Sequence, residues 1–198
     1  MIAWLIVGLL FSAVGEEGRS REWEFVDVQR ERHRPLKQQD ARGFVLVFIT
    51  TDCPISNYYQ PLLGRLHERY QKQGVPFFLC HASKDVLVKE VKKHQQEFRV
   101  RVPIVIDQDQ RIARRLAAKV TPEAFLIDAD GKVVYRGRID DLYADFGKRR
   151  RQARTHDLRD AIDALLAGKP IRTPQTKPVG CFISYSKDPA QPPAESGS

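Results

Sequence analysis

Gly43 to Ile49 (GFVLVFI) is an unbroken apolar run of strand length, the pattern of a central strand covered on both faces. From Ser56 the spacing becomes helical, with Leu62, Leu63, Leu66 and Tyr70 on one stripe and Gly74 closing it. Val75 to His81 (VPFFLCH) predicts a second buried strand, and Asp85 to Phe98 a helix carrying Val88 and Val91. Pro103 to Asp107 (PIVID) predicts a short strand and Gln110 to Ala118 a short helix, which Thr121-Pro122 ends. Glu123 to Asp128, the turn Asp128-Ala129-Asp130-Gly131 and Lys132 to Arg138 together read as a β-hairpin. Leu158, Ile162, Leu165 and Leu166 mark a last amphipathic helix, with Gly168 at its end and Pro170 beyond. The order βαβαβαββα, parallel units first and a hairpin last, predicts an α/β fold with a mixed sheet flanked by helices.

The flanks carry a different pattern. Met1 to Gly15 is almost wholly apolar and ends in small residues ahead of Glu16, the layout of a signal peptide with an A-x-G cleavage site. Export, periplasmic or secreted, is therefore expected, with no stable membrane span after cleavage; the alternative is an uncleaved N-terminal membrane anchor, and the plainest reading a buried helix. Residues 16–39 form an N-terminal segment in which Arg21 to Val28 reads as an edge strand. Residues 40–168 form the domain, and 169–198 an extension whose polar, Pro-rich end is expected to be disordered.

The 198 residues are 42% apolar, enough for one core of ordinary size. The formal charge is +8, and much of it lies in Arg19 to Lys37 and in Lys148 to Arg154. No aromatic stacking platform and no nucleic-acid motif accompany these runs, so they read as solvated surface and nucleic acid is not an expected partner. Five histidines show no H-x-x-x-H spacing and the cysteines no C-x-x-C spacing, so neither a metal nor a cofactor is expected.

Three cysteines is an odd number for an oxidising compartment and suggests a working thiol. Cys53 stands where the first strand hands over to its helix, a place where backbone N–H groups are unsatisfied and the helix dipole favours negative charge. Helix N-termini lower a thiol from about 8.5 into roughly the 3.5 to 7.5 range. Pro54 suits the first helical turn, and Asp52 opposes the activation. Cys80 lies inside a strand where a small apolar side chain is wanted, and reads as structural and inert. Tyr58 and Tyr59 are candidates for a groove beside Cys53 or for packing, and Asp140-Asp141 reads as a turn.

Phe48 to Ser56 (FITTDCPIS), Val120-Thr121-Pro122 and Phe125 to Val134 (FLIDADGKVV) together resemble the thioredoxin-like superfamily over residues 40 to 167. Cys53-Pro54-Ile55-Ser56 stands where that superfamily carries C-x-x-C, so Ser56 replaces the second cysteine. The resemblance implies a cis proline at Pro122, with Thr121 and Pro122 holding a substrate backbone. Within the superfamily the chain is similar to redoxin-domain proteins of the alkyl hydroperoxide reductase and thiol-specific antioxidant group, with Thr50 and Cys53 in their T-x-x-C spacing. It departs from peroxiredoxins at Leu46, where they carry proline, and Arg136 and Arg138 are the candidates for their thiolate-stabilising arginine. Similar proteins end in G-C-x-I, so Cys181 (VGCFI) is implied as the resolving partner of Cys53. The function implied is thiol-disulfide exchange with protein thiols or disulfides. The alternatives are a thiol peroxidase acting on peroxide, or a binding module that keeps the fold without catalysis.

Overall fold

A computed structural model describes residues 23–186. The signal-peptide reading of residues 1–15 and the end of the Pro-rich tail lie outside them. The chain opens with a small hairpin, β1 (Phe25–Val26) and β2 (Arg32–His33), and then enters β3 (Gly43–Ile49). There follow α1 (Pro54–Tyr70), β4 (Phe77–His81), α2 (Val88–Glu97), β5 (Ile104–Ile106) and α3 (Arg111–Leu116). After a two-residue strand β6 (Val120–Thr121) come β7 (Glu123–Asp128) and β8 (Val133–Gly137). A second small hairpin, β9 (Tyr143–Asp145) and β10 (Lys148–Arg149), precedes α4 (Asp157–Leu166), and β11 (Cys181–Phe182) lies in the extension.

The five-stranded sheet has the order β5-β4-β3-β7-β8. Parallel pairing joins β3 to β4 and β4 to β5, and antiparallel pairing joins β3 to β7 and β7 to β8. All seven residues of β3 are buried, because its alternate side chains enter two separate cores. Val45, Val47 and Ile49 face the core that α1 and α4 close with Tyr59, Leu63, Tyr70, Leu158 and Ile162. Phe44, Leu46 and Phe48 face the other, closed by Trp23, Phe25 and the α3 residues Ala113 and Leu116. Each such large side chain contributes about 1.5–3 kcal/mol through burial, which is why the unbroken apolar run belongs at the sheet centre.

The mixed α/β fold is as expected, with element ends shifted by up to three residues. Of the segment expected as an edge strand, the described residues 23–28 carry β1, which pairs with β2, and Asp27 and Val28, which reach the sheet. Asp27 bridges Val105, and the Val28 N–H donates to the Ile104 carbonyl at 2.9 Å, which covers the β5 edge. The basic run near 148 is partly a hairpin, β9 paired with β10.

The other edge is covered by the extension. The Arg136 N–H donates to Pro174 O at 2.9 Å and the Thr176 N–H to Arg136 O at 3.0 Å, so residues 174–176 lie along β8. This crossing is close: a Cβ on Gly137, whose φ is +139°, would stand 2.2 Å from the Thr176 hydroxyl. Further on, β11 pairs antiparallel with β6, setting Cys181 opposite Thr121. Gln110 then fastens the end of the described chain, donating to Ser184 O at 2.7 Å and accepting from the Ser186 N–H at 2.8 Å. The Tyr185 hydroxyl adds a bond to Ala118 O at 2.6 Å.

Candidate active site

Cys53 is the N-cap of α1: its backbone is extended (φ −78°, ψ 110°), and its carbonyl accepts the first helical bond from the Asn57 N–H at 3.0 Å. Its sulfur does what an Asp or Ser oxygen does at this position, accepting from the Ser56 N–H at 3.5 Å. Pro54 follows in the first turn, where its missing N–H leaves no carbonyl unsatisfied. The Thr121-Pro122 peptide is cis. It presents the Thr121 carbonyl to Cys53, whose thiol donates to it at 3.1 Å.

The extension brings Cys181 onto the same spot. Its thiol donates to the Cys53 sulfur at 3.0 Å, although the two lie 128 residues apart. Both are free cysteines; Cys53 is buried and Cys181 only partly so. A Cβ on Gly180 would stand 2.0 Å from the Thr121 carbonyl oxygen, so only glycine lets the extension approach this closely. The Thr121 hydroxyl ties the pieces together, lying 3.3 Å from the Thr50 hydroxyl and donating to the Cys181 carbonyl at 3.4 Å.

The two thiols are unlike. Burial on its own raises Cys53, but hydrogen bonds from Cys181 and from Ser56 outweigh it and hold the thiol below its ordinary value. Cys181 is pushed up to about 12 by burial first, then by donation to Cys53 and by the negative charges of Cys53 and Asp52. Asp52 therefore acts on Cys181, where the sequence suggested that it would restrain Cys53. Of the two sulfurs, Cys53 is the one whose ionisation is favoured.

The structure thus gathers Cys53, Thr50, Ser56, Thr121, Pro122 and Cys181 into one place. Ser56 contributes its backbone N–H, and its hydroxyl is buried without a hydrogen-bond partner. Thr121 does not offer its backbone to solvent, because β11 of the same chain is paired with it. The two arginines considered for the thiolate are engaged elsewhere: Arg136 pairs with Glu123 at 2.9 Å and Arg138 with Asp157 at 2.9 Å. Tyr59 is buried and donates to Asp140, while Tyr58 is half exposed with the Arg149 guanidinium over its ring at 4.9 Å. Asp140 and Asp141 are turn residues, accepting from the N–H groups of Leu142 and of Thr155.

Two contributors were missed. Glu123, one residue past the cis bond and 1% exposed, accepts from the Lys119 N–H at 2.7 Å and pairs with Arg136, holding the loop that carries Thr121. Gly180 is the other. A carboxylate inside an apolar strand is the signal that marked Glu123, whereas only a three-dimensional contact marks Gly180. Among the described residues one trio of metal-ligand type, Asp27, Glu31 and His33, has its ligand atoms within 4.8 Å. Asp27 is already used there, accepting from the Gln29 and Glu31 N–H groups and pairing with His33 at 2.8 Å.

A mixed sheet between helices, with a cysteine at the first helix N-terminus and a cis proline against it, defines a thioredoxin-like fold with a thiol site. Residues 31–145 match the Redoxin family, and the chain belongs to that family. It is similar to thiol-disulfide oxidoreductase ResA of Geobacillus thermodenitrificans, with 30% identity over 122 residues, 62% of this chain and 68% of that protein. ResA of Bacillus anthracis is 30% identical over 99 residues, 50% of this chain and 56% of the relative. Among solved structures, an uncharacterized conserved protein from Geobacillus kaustophilus superposes with a TM-score of 0.70 at 28% identity, covering 84% of this chain and 89% of its own. A putative thiol:disulfide interchange protein DsbE from Chlorobium tepidum shares the fold, with a TM-score of 0.56 at 17% identity over 73% of this chain and 92% of its own.

Proposed function

We propose that this chain is an exported thiol-disulfide oxidoreductase in which Cys53 and Cys181 form the redox pair, cycling between dithiol and disulfide in exchange with protein thiols or disulfides. The observation that carries this reading is the 3.0 Å approach of the two sulfurs at a helix start, with opposite shifts of their acidities. Ser56 in the usual second position removes the local second thiol, and Cys181 supplies the other sulfur of the pair from the extension. Thr50 and Thr121 position the pair, and Pro122 sets the carbonyl against which Cys53 rests. The ResA relatives are named for this activity. Export rests on the apolar Met1 to Gly15 segment; among the described residues no helix is long and apolar enough to cross a membrane.

The peroxidase alternative lacks comparable support, since both candidate arginines are held by carboxylates. The test is turbidimetric insulin reduction with a dithiol donor. The wild-type chain is expected to accelerate precipitation, and Cys53→Ala to return it to the rate without protein. An unchanged rate in that variant would exclude Cys53 as the working sulfur.

A further inference from the structure

The two sulfurs of the pair differ in accessibility as well as in acidity. Cys53 is 1% exposed, enclosed by the start of α1, the Thr121 carbonyl and the Cys181 sulfur itself. Cys181 is half-buried and lines an open groove of about 1120 Å³ together with Val120, Val179, Gly180, Phe146 and Phe182. Phe182, its neighbour on β11, is 86% exposed. A macromolecular thiol approaching the joined pair therefore meets Cys181 first, with Cys53 behind it.

We propose that in the oxidised protein Cys181 is the sulfur that substrate thiols attack, and that Cys53 is the leaving group. The inference rests on the redox pair proposed above and assigns its substrate-facing member. A substrate thiol loses its proton to solvent, and its thiolate forms a bond to Cys181 Sγ. The Cys53–Cys181 bond breaks, and its electron pair leaves on Cys53. The substrate's second thiolate then attacks the substrate sulfur of this mixed disulfide, and Cys181 departs and takes a proton. The substrate dithiol has become a disulfide, and the protein disulfide has become two thiols.

Chemistry and access favour the same direction. Exchange is faster when the departing sulfur is the more acidic one. The helix start and the Ser56 N–H stabilise Cys53 as it leaves. Cys181 has no helix terminus behind it, being paired in a two-residue strand. The reverse choice, attack on Cys53, requires β11 to lift from β6 before the sulfur is reached and expels the less stable thiolate.

The test uses the wild-type chain oxidised with diamide, freed of reagent and mapped to confirm the bridge. Reduced glutathione is added, the reaction is stopped with acid within the first turnovers, and free thiols are alkylated before peptide mass spectrometry. Glutathione is expected on Cys181, with Cys53 alkylated, in at least about tenfold excess over the opposite pattern. Glutathione on Cys53 with Cys181 alkylated overturns the assignment while leaving the pair intact. A bridge that forms but resists glutathione overturns it equally. Oxidised protein with both cysteines free removes the redox pair itself.

Discussion

Cys53 and Cys80 are closed off from solvent to the same degree, at 1% and 0% exposure, yet their thiols are driven in opposite directions. Cys80 sits within β4 on the face it shares with Phe78, Phe44 and Phe125, and burial pushes its thiol well above the ordinary value, with the Asp107 charge adding to the effect. Cys53 suffers the same kind of burial but lies at the start of a helix, with donors from Ser56 and Cys181 aimed at its sulfur. Burial alone makes a thiol inert, and it is the local donors that reverse the outcome.

The sharpest way to break this comparison is to exchange the fates of the two residues by truncation. Cys53→Ser is expected to abolish exchange with a disulfide-linked fluorescent peptide. Cys80→Ala in the same assay should leave the rate unaltered. Gly180→Ala comes next in size. Its Cβ would meet the Thr121 carbonyl at 2.0 Å, so β11 must shift. A loss of about 1–3 kcal/mol in urea unfolding is expected, the usual cost of overpacking.

Cys181→Ala isolates one donor. Removing a hydrogen bond to a charged group costs about 1.5–3 kcal/mol, so the Cys53 midpoint should rise by about one to two pH units. The ¹³Cβ shift of labelled cysteine would show this directly. Stability follows the same signs. Cys53, held low, contributes stability that is present above its unfolded value near pH 8.5 and is lost as the pH falls through its folded value. Cys181, raised to about 12, contributes stability that is full below about pH 8.5 and is lost as the pH climbs toward 12. The smallest expected effect is on stability in Cys80→Ala, about 1 kcal/mol for deleting a methylene-sized group from a packed core, again by urea unfolding.

Much of this arrangement was legible in the residues, for physical reasons. GFVLVFI has the length and the unbroken apolar character of a strand covered on both faces, and the change of period after Cys53 placed that residue at a helix start. Cys80 read as structural from its place inside an apolar strand, and it packs with Phe78 in the core that does not contain Cys53. The extension was legible only through resemblance. Its pairing of β11 with β6 is two residues long and joins positions about sixty apart, so no periodicity announces that Cys181 opposes Thr121. Gly180 and Gly137 read as ordinary loop and strand-end residues until the backbone passing over each is seen. The hairpin of β9 and β10 was hidden for a related reason, since Lys148 and Arg149 are exposed and carry no apolar alternation.

The most direct test of the activated-thiol claim is a pH titration of the wild-type reduced protein, following the ¹³Cβ resonance of each cysteine separately. Cys53 should ionise below the ordinary thiol value near 8.5, with Cys181 far above it and Cys80 silent throughout. A Cys53 midpoint at or above that ordinary value, or one indistinguishable from Cys181, would contradict the account.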